Sequence, residues 1–380
     1  MRFVLMSSVA ASVLLAGCNA EEDKTNRPPP KDPAAVVAAT VETVAMKNAG
    51  DAADDPAIWI DAADPSRSVI IGTNKKAGLG VYGLDGAELS FRADGRMNNV
   101  DIRQNVVLGG RSFDVVVASN RTAKTLDVYK FDGATRTLAP LLQAATAFPD
   151  PYGICLYHSA KTGVLYAFMN DSNGTLGQWM ISSTDGVKVK ADFLRSFMVG
   201  EKDSQAEGCA ADDRQGLLFV AEEDVGLYAY DAEDLSKARV VIDTVAGGHF
   251  TADAEGVAVV YEGEAGGYIM ASSQGSNSYN VYDRTAPFAF RGAFVIKDGT
   301  ASNGAPIDGV EDTDGIDVTS APLGPAFPGG VFIAQDGANF EGPEKKRALQ
   351  NFKLVPWPVI REALKLPAPM AEAAPPAAPQ

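Results

Sequence analysis

The chain has 380 residues, with 33 Lys or Arg against 49 Asp or Glu, so its formal net charge is −16. This charge argues against nucleic acid or an anionic lipid surface as a partner. The 37 glycines and 22 prolines suit many tight turns, and no long segment carries a sustained 3.6-residue apolar period. We therefore expect a strand-rich protein in which helix is minor.

The first 18 residues are typical of a targeting signal. Arg2 supplies the positive start, and the apolar run after it is too short to span a bilayer. The run closes with Leu-Ala-Gly-Cys, ending at Cys18, which resembles the end of a bacterial lipoprotein signal; a plain cleaved signal peptide is the alternative. We expect lipidation of Cys18, a flexible tether over 19–34, and a location in the cell envelope facing the periplasm or exterior, with membrane contact only through the lipid.

A unit of two β-rich runs recurs along the rest of the chain. In its clearest copy Glu207 precedes a run of small residues, a polar turn follows over 212–216, and the return run over 217–221 ends in Glu222 and Glu223. Six copies follow one another at intervals of about 44 to 60 residues. Repeats of this length with three or four short strands indicate a six-bladed β-propeller, an all-β fold; two β-sandwiches are the alternative. The copies begin at Asp54, Asn98, Tyr152, Glu207, Glu255 and Asp314.

The two ends of this repeat region make further predictions. Residues 35–42 have β character and precede the first copy, whereas the sixth copy lacks an outer strand. We predict that this N-terminal strand completes the last blade and closes the ring. The propeller should span 35–365 as one domain, and the Ala/Pro-rich tail over 366–380 should be disordered.

Two cysteines lie near the starts of neighbouring copies. Cys155 and Cys209 could form a disulfide in an oxidising compartment or remain as two buried thiols, and their spacing does not separate these alternatives. No grouping of Cys and His in the sequence indicates zinc.

Acidic and amide residues recur where first strands begin and second strands end. These points share one rim of a propeller channel, since a hairpin brings the start of one strand beside the end of the next. A ring of carboxylates there must be protonated or neutralised by cations. An all-oxygen ligand set suits Ca²⁺. Lys75, Lys76 and Arg121 fall at the same rim, so bound calcium with these cations would form a receptor for a polyphosphate.

Several pieces of the chain, in their shared order, resemble the β-propeller phytases, also called alkaline phytases or 3-phytases. The resemblance runs from about Glu42 to Trp357. It implies a six-bladed propeller, expected as a monomer, that hydrolyses phytate (myo-inositol hexakisphosphate) with the help of Ca²⁺. The most specific pieces are GDAADDPAIW at 50–59, NKKAGL at 74–79, NNVDIR at 98–103, AADD at 210–213, AEED at 221–224, DTDGID at 312–317 and AQDG at 334–337.

The resemblance also implies roles for individual residues. Lys75 and Arg121 match phosphate contacts of the family. Lys76 is also expected to bind phosphate, because it falls at the same rim. Ser172 stands where better-known members have a phosphate-binding Lys, and Ala338 where some carry a Glu. The residues expected at the cleavage site are Glu207, Tyr152, Asp55, Asp253 and Glu255. The expected calcium ligands are Glu42, Asp55, Glu207, Glu223, Asp253, Glu255, Gln274, Asp308, Asp314, Asp336 and Asn339.

The expected reaction is metal-assisted hydrolysis of a phosphomonoester, with an activated water oriented by Glu207 or a neighbour. The two histidines, His158 and His249, are not in an Arg-His-Gly setting, which argues against a phosphohistidine intermediate. The alternatives are a calcium-dependent propeller lactonase and a non-catalytic propeller that serves as an envelope scaffold.

Overall fold

The computed structural model describes residues 27–200, 204–341 and 346–367. Six antiparallel sheets surround a central channel, and the first strand of each contacts the first strands of its two neighbours. The predicted six-bladed β-propeller is thereby confirmed. Cys18 and the greater part of the predicted C-terminal tail lie outside the described residues.

The blades follow one another in chain order. Blade one contains Ala53–Trp59, Val69–Asn74, Gly78–Gly83 and Glu88–Arg92; blade two contains Met97–Leu108, Arg111–Asn120, Thr125–Asp132 and Thr137–Ala145. Blade three contains Pro151–His158, Leu165–Asp171, Thr175–Ser183 and Val189–Met198; blade four contains Ala206–Asp212, Leu217–Glu222, Gly226–Asp231 and Val240–Thr244. Blade five contains Ala254–Glu262, Gly266–Ser273, Ser278–Asp283 and Phe290–Lys297; blade six contains Ile316–Thr319, Val331–Asp336 and Asn351–Pro356.

Short elements complete the described fold. Two-stranded ribbons pair Gly299–Thr300 with Pro306–Ile307, and Phe340–Glu341 with Lys346–Arg347. Single 3₁₀ turns lie at Pro65–Arg67 and Gln274–Ser276, and the α-helix in the described ranges is Trp357–Ala363. Within those ranges, no helix has the length and apolar character needed to cross a bilayer.

The N-terminal segment serves two blades. Val41–Glu42 pairs antiparallel with Asn351–Pro356, which confirms that an N-terminal strand completes the last blade. The residues just before it pair with a different blade, which the sequence did not indicate. Ala34–Ala38 pairs in parallel with Phe290–Lys297 and becomes a fifth strand of blade five.

The hydrophobic core is divided among the six interfaces between blades. Six separate clusters of buried apolar side chains lie between adjacent blades, including one between blades six and one where the ring closes. Blades three and four are also joined covalently, because Cys155 and Cys209 form a disulfide with a Cα–Cα distance of 5.7 Å. Since apolar packing fills the spaces between blades, the channel mouth is left to polar side chains.

Candidate active site

The first strand of five blades contains a β-bulge close to its start. In blade four the pairing register shifts between Ala206 and Cys209, and blades one, two, three and five show the same irregularity. A bulge re-aims the side chains that it contains. The bulged residues are Asp54 and Asp55, Asn98 and Asn99, Tyr152 and Gly153, Glu207 and Gly208, and Glu255 and Gly256.

Glycines within these bulges let neighbouring blades approach one another. A Cβ atom on Gly208 would lie 2.2 Å from the backbone oxygen of Glu255, and one on Gly256 would lie 2.5 Å from that of Asp314. Both distances are shorter than any tolerated contact, so only glycine fits at these positions. The close approach of these backbones brings Glu207, Glu255 and Asp314 to one mouth of the channel.

A cavity of about 200 Å³ occupies this mouth. Predicted site residues from five blades meet there, since Lys75 of blade one joins residues of blades three to six. The lining residues are Asp51, Lys75, Tyr152, Glu207, Glu223, Asp253, Glu255, Gln274, Asp312, Asp314, Gln335 and Gln350.

Three buried carboxylates form the centre of the cavity. Glu207, Glu223 and Glu255 each offer an oxygen within 4.8 Å of the others. At that separation two full charges repel by about 3–4 kcal/mol for an effective dielectric constant near 20. Burial, followed by neighbouring carboxylates, raises the pKa of Glu207 to about 7 and that of Glu223 to about 8, and also raises the pKa of Glu255.

The hydrogen bonds to these carboxylates are incomplete. Asn98 Nδ2 donates to Glu207 Oε1, and the hydroxyl of Tyr152 hydrogen-bonds to Glu207 and Glu223. Glu255 Oε2 is buried and receives no hydrogen bond from any residue that the structure describes. A buried carboxylate oxygen without a donor beside two further carboxylates is the arrangement that a hard cation satisfies. The donor set therefore fits a metal ion bound through oxygen.

Lys75 enters the same cavity from blade one. Its Nζ lies 2.7 Å from Asp314 Oδ2, 2.8 Å from Asp51 Oδ1 and 3.3 Å from Asp54 Oδ2. Burial by itself lowers the pKa of Lys75, but Asp314 and Asp54 outweigh that effect and leave the pKa above its usual value. Gln274 Nε2 also donates to Asp314 Oδ1 at 2.7 Å. These three carboxylates therefore favour the charged form of Lys75 and hold its ammonium in place.

Arg121 lies at the rim beside blade three. Its Nε and Nη2 donate to the two carboxylate oxygens of Asp150 at 2.8 and 2.5 Å, and its Nη1 donates to Asn98 Oδ1 at 2.9 Å. The guanidinium carbon lies 5.5 Å from the ring centroid of Tyr152. Arg121 thus contacts two residues that also hydrogen-bond to Glu207.

Two other predicted residues do not line this cavity. Asp55 Oδ2 accepts a hydrogen bond from the backbone N–H of Val100 at 3.0 Å, and Asp55 borders a second cavity of about 270 Å³ further along the channel. Lys76 is exposed, and its Nζ donates to the backbone oxygen of Ala49 at 2.5 Å.

The remaining predicted ligands form a separate group on blade six. The fully buried ammonium of Lys353 pairs with Asp308 and, at 2.7 Å, with Asp336. Burial raises the pKa of Asp336 to about 6, although Lys353 lowers it in part. Asn339 Oδ1 is buried there and receives no donor within the described ranges. Glu42 Oε2 accepts from Asn351 Nδ2 at 3.0 Å on the neighbouring strand.

The two departures from the family pattern also have defined places. The backbone N–H of Ser172 donates to the oxygen of Asp150 at 3.2 Å, so Ser172 lies beside the residue that holds Arg121. Ala338 is buried, and its N–H donates to Asp336 Oδ1 at 3.3 Å. Ala338 therefore belongs to the blade-six group.

Several residues of the candidate site were not predicted from the sequence. Asp150 directly precedes the first strand of blade three, so the same strand-start rule could have found it. Gln350 accepts hydrogen bonds from the N–H groups of Ala52 and Ala53 at 2.6 and 2.9 Å, and no local sequence pattern predicts this contact. Arg27, in the expected tether, ion-pairs with Asp312 of the cavity lining, and no feature of the sequence predicts this contact.

Comparison with known proteins identifies the family of this chain. A family model described as Phytase matches residues 3–376. The chain belongs to the phytase family. This phytase is 41% identical over 337 residues to the 3-phytase of Bacillus subtilis (strain 168), an alignment that covers 86% of this chain and 85% of the relative.

The solved structures that align with this phytase have lower sequence identity and low structural similarity. A chain of the nidogen/laminin complex aligns with a TM-score of 0.44 at 10% identity, covering 74% of this chain and 96% of that one. A functionally unknown protein from Desulfotomaculum acetoxidans aligns with a TM-score of 0.42 at 13% identity, covering 70% of this chain and 77% of that one. Scores this low add nothing on fold or function.

Proposed function

We propose that this phytase is a calcium-dependent 3-phytase that releases inorganic phosphate from phytate. The observation that carries the proposal is the meeting of Glu207, Glu223 and Glu255 within 4.8 Å in a cavity that also contains the ammonium of Lys75. The activity named for the Bacillus relative supports the choice of substrate. A cavity that combines mutually repelling carboxylates with a fixed cation suits a metal ion together with an anionic ligand.

Calcium is the metal proposed for this cavity. Glu207, Glu223 and Glu255 would hold it, and Asp253 and Gln274 add oxygen donors to the same lining. Carboxylate and amide oxygens, without thiolate or imidazole, match the ligands that calcium prefers. When bound, calcium neutralises the carboxylates and polarises a phosphoryl oxygen.

The protein's own side chains would perform the remaining chemistry. Glu207 lies among the carboxylates that would hold the metal and would accept a proton from the attacking water. Its orientation is held by hydrogen bonds from Asn98 and Tyr152. Lys75 and Arg121 supply positive charge for the oxygens of the transferring phosphoryl group.

Phosphate release from phytate tests this proposal directly. We expect wild-type turnover to be abolished by EGTA and restored by added Ca²⁺. We expect Glu207→Gln to reduce turnover by at least about 100-fold with an unchanged circular dichroism spectrum, as for loss of a positioned proton acceptor. Asp224→Asn is the matched control, because Asp224 is an exposed acid near the same strand end.

Turnover that persists in EGTA, or in Glu207→Gln, would contradict the assignment. The same assay distinguishes the phytase hypothesis from the propeller lactonase and the non-catalytic scaffold, since neither of these releases phosphate.

We also propose that the enzyme is a lipid-anchored protein of the cell envelope. Cys18 precedes the described residue Arg27 by nine positions (27 − 18). Nine extended residues span at most about 30 Å. Because Arg27 ion-pairs with Asp312 of the cavity lining, a lipid on Cys18 would hold the channel mouth within that distance of a membrane surface.

A further inference from the structure

Residues 27–33, here called the N-terminal strap, are fastened to the propeller before its first strand begins. Lys31 Nζ donates to the backbone oxygen of Val245 at 2.5 Å. Asp32 Oδ2 lies 2.6 Å from His249 Nδ1, and the imidazole of His249 stacks on Phe290 with ring centroids 3.6 Å apart. These contacts hold the strap against blades four and five, and the chain then continues into Ala34–Ala38.

The first residue of the strap lines a neighbouring cavity and contacts one residue of the active-site lining. Arg27 Nη2 lies 2.5 Å from Asp312 Oδ1, and Asp312 lines the cavity with the three central glutamates. No described residue accepts a hydrogen bond from Arg27 Nε. Among the described residues, the carboxylate of Asp312 holds the guanidinium, and Nε has no acceptor.

Arg27 has the same setting as the two basic residues already assigned to phosphate. The side chains of Arg27, Lys75 and Arg121 are 21%, 15% and 20% exposed. Each is partly accessible and ion-paired to a carboxylate at or beside the cavity. Arg27 and Lys75 have partners in one segment, because Asp312 and Asp314 both precede the first strand of blade six. Arg121 lies on another side of the mouth, beside Asp150 before blade three.

We infer that Arg27 is a third phosphate-binding side chain, supplied to the site from outside the propeller. The inference rests on the proposed function. Guanidinium presents several coplanar N–H groups that match the oxygens of a phosphate monoester. An inositol ring that carries several phosphates can contact cations on separate sides of the mouth, whereas a small aryl phosphate contacts only the groups near the scissile bond. Arg27 thus favours highly phosphorylated substrates.

The competing interpretation is that Arg27 only fastens the strap. Kinetics with two substrates separate the interpretations. We expect Arg27→Ala to raise KM for phytate by about threefold to tenfold, the range for a partly exposed charged contact, with kcat within about twofold. KM for p-nitrophenyl phosphate should stay within about twofold, and Arg27→Lys should recover part of the affinity for phytate because it keeps the charge.

Asp32→Asn is the matched control for fastening, since Asp32 secures the strap through His249 and lies outside the cavity lining. We expect it to leave KM for phytate within about twofold, in support of a direct role for Arg27. An unchanged KM for phytate in Arg27→Ala would overturn the inference. Equal increases for both substrates, or equal increases in both variants, would also overturn it, because they would assign Arg27 to fastening. Absence of phosphate release by the wild-type enzyme would instead contradict the proposed function.

Discussion

Replacement of Lys353 by methionine should destabilise the protein strongly. The ammonium of Lys353 is fully buried, and it contacts Asp336 at 2.7 Å, Asp308, and the backbone oxygen of Gly309 at 2.8 Å. Methionine preserves most of the side-chain volume, so the variant removes charge without opening a large cavity. The fully buried carboxylate of Asp336 and the partly buried carboxylate of Asp308 would then lie close together without a cation.

The expected loss can be worked out from this geometry. Removing one partner of a buried ion pair costs about 3–5 kcal/mol. Unfolding entropy of about 2.1 cal/mol/K per residue over about 330 residues converts this loss into a fall in Tm of about 4–7 °C. The fall should be larger at pH 8 than at pH 5. Burial has already raised the pKa of Asp336 to about 6, so protonation of Asp336 at low pH relieves the repulsion.

Thermal unfolding in EGTA at both pH values measures this effect. Lys297→Met is the matched control, because Lys297 is exposed on blade five. A fall in Tm of less than about 1 °C at pH 8, indistinguishable from the control, would refute the reasoning. Recovery of Tm on addition of Ca²⁺ to Lys353→Met alone would show that the oxygens of Asp308, Asp336 and Asn339 can hold a metal in place of the ammonium.

Two further predictions concern calcium and the anchor. The pKa values of Glu207 and Glu223 are raised to about 7 and 8 from a usual 4.5. Between about pH 4.5 and 8, the metal-free folded state therefore binds more protons than the unfolded state does. Its stability should therefore fall as pH rises through that window, and the gain in Tm on adding Ca²⁺ should be larger at pH 8 than at pH 5; an equal gain at both pH values would contradict this. For the anchor, Cys18→Ala should move the enzyme from the membrane fraction to the soluble fraction of envelope preparations, and unchanged partition would exclude lipidation at this residue.

The blade count and the meeting of acidic residues at one channel mouth could be predicted from the sequence. Strand starts and turns are local features, and the hairpin rule then places Glu207 beside Glu223 without any knowledge of distant contacts. The structure has Ala206 opposite Glu222, with the N–H of Glu223 bonded to the backbone oxygen of Gln205 at 3.0 Å.

Within the site, the sequence did not determine the direction of individual side chains. Lys75 and Lys76 are adjacent and equally basic, yet only Lys75 lines the cavity. Lys75 and Lys76 lie in the turn after Val69–Asn74, where the local backbone conformation, and not the alternation of a strand, sets the direction of each side chain.

The sequence by itself determined the repeat, the ring of six blades and the rim at which the carboxylates gather, because these follow from patterns that span a few tens of residues. Only the tertiary structure decided the disulfide of Cys155 with Cys209, the ammonium of Lys353 between two aspartates, and the ion pair of Arg27 with Asp312. Arg27 and Asp312 are 285 positions apart in the chain. The energy of such a contact depends on distance and burial in the folded ring, and neither quantity is encoded in any local stretch of sequence.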